Sequence, residues 1–404
     1  PRTIERRLER PECTRMREGI MKHLPIVVLT AVLAAVCALP VRGDVRFKKI
    51  VLDETFRSEG AAAGDVNHDG KMDVLAGDVW YAAPDWTMHE VRKPGAYSPD
   101  KGYSQCFQNW AADVNGDGWV DSVIVNWPGK QAFWYENPKN QPGHWKTHLI
   151  TKSAGNETSV FADLLGNGRP GLLAAFCPDK VMAYWSPGDD PTRPWPLYPV
   201  STKGAPGTQQ YSHGLGVGDV NGDGRRDVLI RSGWWEAPED RTKTPWTFHK
   251  ADLGDKCADL VVYDVDGDGD NDVLTSSAHA YGIWLHEQVQ EDGKPAFRRH
   301  EFFKKTSQTH AIRLVDVNGD GLMDFVTGKR YHAHNGKDPG GNEPALLYWF
   351  ELKRPAKGKW EFVPHRIDDD SGIGTQFTVC DMNGDGKPDI VSSNKKGVHV
   401  FVHE

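Results

Sequence analysis

Apolar residues along this chain come in short runs without helical spacing, and most of these runs follow the same polar segment. Val74-Leu75, Val123-Ile124, Val228-Leu229, Val273-Leu274, Phe325-Val326 and Ile390-Val391 are such runs. Their β-branched and aromatic content predicts strands. The polar segment before them is Asp-x-Asn-Gly-Asp-Gly-x-x-Asp. It begins at Asp65, Asp113, Asp163, Asp219, Asp264, Asp316 and Asp381, at spacings of 48, 50, 56, 45, 52 and 65 residues. A period of roughly 40 to 50 residues with strand-like flanks predicts the blades of a β-propeller. The expected fold is therefore all-β, a seven-bladed β-propeller.

Each repeat offers four strands. A small-residue strand A such as Ala61-Ala62-Ala63-Gly64 suits the crowded centre of a ring. Strand B follows the Asp-rich loop, strand C carries Trp80-Tyr81, Trp134-Tyr135, Tyr184-Trp185, Trp234-Trp235 or Tyr348-Trp349, and strand D carries Trp-x-x-His. These recurrent tryptophans and histidines are expected to pack blade against blade. The chain ends in a C-like strand, Val398 to Val402, and the repeats are preceded by a D-like strand, Val45 to Val51. The N-terminal strand is thus expected to close the ring and remove its open edges.

In the Asp-rich loop, oxygen-bearing side chains at positions 1, 3 and 5 precede a turn glycine, an arc like that of an EF-hand calcium loop, here closed by a carboxylate at position 9. Six copies keep every ligand position. They are Asp65, Asn67, Asp69 and Asp73; Asp113, Asn115, Asp117 and Asp121; Asp219, Asn221, Asp223 and Asp227; Asp264, Asp266, Asp268 and Asp272; Asp316, Asn318, Asp320 and Asp324; and Asp381, Asn383, Asp385 and Asp389. The third copy has Leu165, Asn167 and Gly171 in place of three ligands, so no ion is expected there. About six structural Ca²⁺ sites on A–B loops follow.

These loops resemble the FG-GAP/VCBS repeat family over residues 45 to 404. With its Trp-Tyr strands the whole looks most like the propeller domain of the aldos-2-ulose dehydratases, which eliminate water from keto-sugars. Seven-bladed polysaccharide lyases are a second resemblance. Either implies a carbohydrate partner, a small keto-sugar or a polysaccharide, and carbon–oxygen lyase chemistry.

Residues 1 to 20 lack apolar periodicity and read as an extension not made in the cell. Residues 21 to 43, a short basic start and an apolar stretch from Leu24 to Leu39, read as a cleaved signal peptide, implying a secreted or periplasmic protein without a stable membrane span. The propeller then occupies 44 to 404. Net charge is −8; residues 1 to 43 hold eight Lys/Arg and four Asp/Glu, so the remainder stands at −12. An acidic chain without basic clusters argues against nucleic acid. Cys106, Cys177, Cys257 and Cys380 are scattered over four repeats and read as thiols, and the protein is expected to be monomeric.

If A–B loops form one rim, the D–A and B–C connections meet at the opposite mouth of the channel. Six positions before each leading Asp stand Glu59, Phe107, Glu157, His213, Ala258, His310 and Thr375, followed in four repeats by Gln108, Thr158, Asp259 and Gln376. Scaffold positions in a repeat protein stay alike, so polar variety at one ring of positions points to ligand reading. Repeat six adds the longest B–C insertion, with Lys329, Arg330, Tyr331, His332 and His334; repeat five contributes His279 and Tyr281, and Tyr211 approaches from the D–A side. Long loops in compact domains are often functional.

β-Elimination needs a base, an acid and a positive group for the enolate. His310 or His213 as base, Tyr331 as acid and Arg330 as clamp would supply them. Alternatively His213, His310 and His334 with Glu59 or Glu157 would hold a transition metal at the mouth. A third reading is a calcium-dependent glycan- or protein-binding rim without turnover.

Overall fold

The computed structural model describes residues 44–404, which form one compact unit. The extension and signal-peptide readings fall on residues 1–43, outside the described part. The only helical segment among the described residues is a 3₁₀ turn at Ala333–Gly336. No helix there is long and apolar enough to cross a membrane.

The strands assemble into a ring of antiparallel sheets. Five sheets have four strands each, and one has eight. The first repeat is typical: Ala62–Gly64, Asp73–Ala76, Val79–Ala82 and Thr87–Glu90 lie side by side in chain order. The eight-stranded sheet joins the meander Leu215–Gly218, Asp227–Ile230, Gly233–Glu236, Thr247–Lys250 to the meander Asp259–Tyr263, Asp272–Ser276, Tyr281–Glu291, Lys294–Ser307. Its two inner strands pair in parallel, Leu215 with Asp259 and Gly216 with Leu260. Glycine makes this contact physically possible: a Cβ on Gly216 would fall 1.9 Å from the Leu260 carbonyl oxygen. The arrangement therefore differs from separate four-stranded blades, because these two share one sheet.

Phe47–Asp53 pairs antiparallel with Gly397–His403, so the N-terminal strand completes the sheet begun by Thr378–Cys380 and Asp389–Asn394. Each apolar cluster is shared by neighbouring repeats. Val123 and Trp134 pack with Leu172 and Trp185, for example, and Ala76 and Tyr81 with Val391 and Val400. The core is thus a circuit of inter-sheet seams. The Trp–His stacking expected between blades occurs instead within each sheet: Trp80, Trp134, Trp234 and Trp349 stack on their cross-strand partners His89, His148, His249 and His365, with ring centroids 4.2–4.4 Å apart. The repeated Trp and strand-D His are packing residues.

The closing Asp of each complete loop is buried and does a second job. Asp73 Oδ2 accepts from the Val66 N–H at 2.9 Å and its Oδ1 from the Ala83 N–H at 2.8 Å, tying loop, strand B and strand C together. Asp121, Asp227, Asp272, Asp324 and Asp389 repeat both bonds. Burial, opposed by these bonds and reinforced by neighbouring carboxylates, pushes Asp121, Asp227 and Asp272 up to about 7. Repeat three has Gly171 there. The Tyr184 hydroxyl takes over, accepting from the Leu164 N–H at 3.4 Å and donating to the Ala162 carbonyl at 2.9 Å. A Cβ at Gly171 would meet that hydroxyl at 2.6 Å, so tyrosine and aspartate exclude one another.

In the rest of the loop, Asp65 accepts from the Asp69 and Gly70 N–H groups, and Asn67 and Asp69 accept from the residues two further on. These bonds curl the side chains onto one arc. Carboxylate oxygens keep lone pairs beyond one such bond. In repeat five the oxygens of Asp264, Asp266 and Asp268 come within 4.8 Å of one another. The donor set fits a hard cation such as Ca²⁺.

Candidate metal centre at the channel mouth

Three of the varied positions, Glu157, His213 and His310, converge at the mouth with His279 from a B–C turn. Glu157 and His213 stand just ahead of inner strands Val160–Ala162 and Leu215–Gly218, and His310 lies at the start of Thr309–Val315. His279 comes from the turn between Asp272–Ser276 and Tyr281–Glu291. Gly214 lets His213 approach, since its φ is +78° and a Cβ would lie 2.3 Å from Cys257 Sγ. One ligand atom from each of Glu157, His213, His279 and His310 lies within 4.8 Å of all the others.

The four groups sit in direct contact, with His213 and His279 at hydrogen-bond distance. His213 Nε2 and His310 Nε2 each stand 3.5 Å from Glu157 Oε2, and His279 Nε2 is 2.6 Å from His213 Nε2. Both nitrogens of His310 are buried without a hydrogen-bond partner. Buried polar atoms are rarely left so. Burial, together with the neighbouring His213, pushes His279 down to about 4; burial, with Arg330 and His213 opposing its Glu157 contact, pushes His310 down to about 3. At neutral pH both rings are therefore uncharged and offer lone pairs. Burial raises Glu157, but His213, His310 and Arg330 outweigh it and hold the carboxyl well below its usual range. Three imidazoles and one carboxylate are a set that suits zinc or another divalent transition ion.

Above the cluster opens a cavity of about 480 Å³, lined by Glu157, His213, His279, His334, Asp338 and Lys256 on one side and by Tyr103, Phe107, Trp127 and Tyr211 on the other. The aromatic side is a connected wall. Tyr103, Phe107 and Trp127 meet at centroid distances of 4.9–5.6 Å, and Trp127 Nε1 donates to the Tyr211 hydroxyl at 3.3 Å.

Several sequence candidates fall elsewhere. Arg330 lies behind the cavity wall and is 1 % exposed: Nη1 donates to Glu157 at 3.0 Å, Nε to Glu59 at 3.3 Å, and the guanidinium lies 5.0 and 5.2 Å from the Tyr103 and Phe107 rings. It neutralises the two carboxylates and is not placed to clamp an enolate. Lys329 is buried with its ammonium on the Gly340 and Glu343 carbonyls. Tyr331 is outside the cavity lining, under Lys396, and the His332 carbonyl accepts from Lys395. The Tyr281 hydroxyl donates to Glu343. Gln108 donates to the Glu157 carbonyl and so braces the centre. Asp259, paired with Arg313 at 2.7 Å, and Gln376 line a separate 220 Å³ cavity among the inner strands. His279 occupies the place expected of His334, which stacks behind it at 4.6 Å. Missed entirely were Asp338, Tyr103 and Trp127. The only signal for them was their position in D–A or B–C connections. Among the described residues, Cys106, Cys177, Cys257 and Cys380 are free thiols.

Comparison with known proteins gives a family match over part of the chain. Residues 264–327 match the model of an FG-GAP-like repeat. No curated protein matches. Among solved structures, the chain is similar to a lectin from Agrocybe aegerita, described as recognising non-reducing terminal N-acetylglucosamine, at 16% identity and TM-score 0.44 over 81% of each chain. It is similar to a Lactobacillus plantarum protein at 11% identity and TM-score 0.48, over 79% of this chain and 86% of that one. Similarity to the exotype rhamnogalacturonan lyase YesX is 11% with TM-score 0.44, over 90% of this chain and 74% of that one.

Proposed function

We propose that this chain is a secreted seven-bladed propeller, its eight-stranded sheet counting as two blades, that carries a transition metal at the mouth and removes water or an alkoxide from a sugar by β-elimination. The observation that supports this reading is the buried Glu157, His213, His279, His310 cluster at the floor of a cavity with an aromatic wall. A divalent ion there would act as a Lewis acid on a carbonyl or hydroxyl oxygen. The chain's own residues do the rest. Trp127 and Tyr211 offer ring faces and edges to the apolar side of a sugar, Glu59 and Glu157 balance Arg330, and Gln108 keeps Glu157 in place. His334, exposed on the cavity edge with only its Nδ1 tied to Asp338, is the side chain placed to take the proton α to the sugar carbonyl and return it to the departing oxygen, which leaves as water or an alcohol. The six complete Asp loops hold Ca²⁺ as structural ions.

The test is ultraviolet absorbance of the protein mixed with keto-sugars and uronate glycans, with and without added Zn²⁺, beside His310→Ala. A conjugated product formed only by the metal-loaded, unmodified protein is expected. Sugar binding without product across the panel would replace catalysis by a recognition role for the same cavity.

A further inference from the structure

We infer that Asp338, carried by the insertion of repeat six, is the positioning residue of the metal centre: it fixes His279, from repeat five, in the tautomer whose Nε2 lone pair faces Glu157, His213 and His310. This rests on the reading above that the cluster holds a metal.

The argument begins with donors and acceptors. Asp338 Oδ2 lies 2.9 Å from His279 Nδ1. An ionised carboxylate only accepts, so Nδ1 carries the ring proton and Nε2 is left with its lone pair. Nε2 is the nitrogen that points into the cluster. Asp338 is itself held. Gln308 Nε2 donates to Oδ2 at 3.1 Å, and His334 Nδ1 lies 3.0 Å from both carboxylate oxygens. A carboxylate behind a ligating histidine orients the ring and raises its basicity. Among the described residues no carboxylate backs His310, whose Nδ1 has no partner. Of these two rings only His279 is oriented by a carboxylate, and that carboxylate comes from a different repeat.

The backbone of the insertion supports this assignment. His332, His334 and Asn335 have φ of +55°, +48° and +55°, left-handed values that side chains other than glycine seldom adopt. Such conformations persist where surroundings over-determine them. Here the loop is held from across the mouth: the His334 N–H donates to the Tyr103 hydroxyl at 2.8 Å, the Gly102 N–H to Asn335 Oδ1 at 3.3 Å, and Lys395 Nζ to the His332 carbonyl at 3.1 Å. These anchors deliver Asp338 to His279.

His279, His334 and Asp338 also form a compact triad of ligand atoms. A second ion there would require His279 to bind through both nitrogens. The direct bonds of 2.9 and 3.0 Å already close that space, which favours positioning.

Titration of the calcium-loaded protein with Co²⁺, followed by its visible absorption, tests the inference. One equivalent is expected for the unmodified protein, and His310→Ala should abolish the band. Asp338→Ala should keep the one-equivalent stoichiometry and weaken affinity about 10- to 100-fold. Asp338→Asn retains a carbonyl acceptor in the same volume and should recover most of that loss, with an unchanged melting temperature before Co²⁺ is added. Unchanged affinity in Asp338→Ala, or two equivalents falling to one, would overturn the positioning role while leaving the metal centre intact. No Co²⁺ band in the unmodified protein would instead sink the metal reading itself.

Discussion

The two rims of this ring use opposite strategies with the same repeat. On the A–B rim one motif recurs, and its closing Asp makes the same pair of backbone bonds six times. At the mouth one position per repeat differs from its counterparts, and Glu157, His213 and His310 meet there because they differ. Repetition marks residues whose work is local and must be done in every blade. Variation marks residues whose work is shared between blades.

The contrast is sharpest in substitutions that separate stability from ligand binding. His310→Ala should lower transition-metal affinity at the mouth by more than about 100-fold, since a first-rank ligand is lost, beyond the 10- to 100-fold typical of its supporting groups. Removing this buried ring also leaves a cavity and takes away a contact with Glu157, so a moderate drop in the melting temperature of the metal-free protein is expected beside it. Unchanged metal affinity in this variant would place His310 with the scaffold. Asp227→Ala should do the reverse. It strips the buried Val220 and Ala237 N–H groups of their acceptor and should cost about 3 kcal/mol in denaturant unfolding, with mouth affinity unchanged. If the two rims are coupled, both quantities will move together.

Removing calcium with EGTA should shift the melt downward by several degrees, because ions that bind only the folded state stabilise it by linkage. Repeat three should be indifferent, so Asp163→Asn should leave the size of that shift unaltered. An unchanged melt on chelation would mean that the Asp loops fold on their hydrogen bonds alone.

A scaffold histidine sets the acid limb of stability. Burial, with Lys49 close by, pushes His399 down to about 4 from an ordinary value of 6.5, and its Nδ1 has no partner. The unfolded chain binds that proton first. Its contribution to stability is therefore present above pH 6.5 and is lost as pH falls toward 4, at up to about 1.4 kcal/mol per pH unit. His399→Gln should flatten the unfolding free energy over that window, measured against the unmodified protein. An identical slope in both would remove His399 from the acid limb.

Much of the scaffold was legible in the sequence because its causes are local. Asp, Gly and β-branched residues at fixed offsets prescribe a turn and the strand after it, and small residues prescribe an inner strand. The pairing of Phe47–Asp53 with Gly397–His403 was legible for the same reason, as a D-like strand before the repeats and a C-like strand after them; its register was not. The substitution of Tyr184 for a carboxylate was hidden, since its hydroxyl reaches the Leu164 N–H from another strand, twenty residues away.

At the mouth the ring of candidates was visible, yet their roles were not. Sequence offsets placed Glu59, Glu157, His213 and His310 at one level of the channel. They could not show that Arg330 would be consumed by Glu59 and Glu157, or that His279 would supply the third imidazole with Asp338 behind it. Those outcomes depend on distances between repeats fifty or more residues apart and on which donor reaches a carboxylate first. The chain by itself determined the all-β repeat, its Asp-rich turns and the level of the mouth, through spacing and local hydrogen bonding. Only the closed ring decided which side chains face one another, because ion pairing and desolvation are settled across the channel and not along the chain.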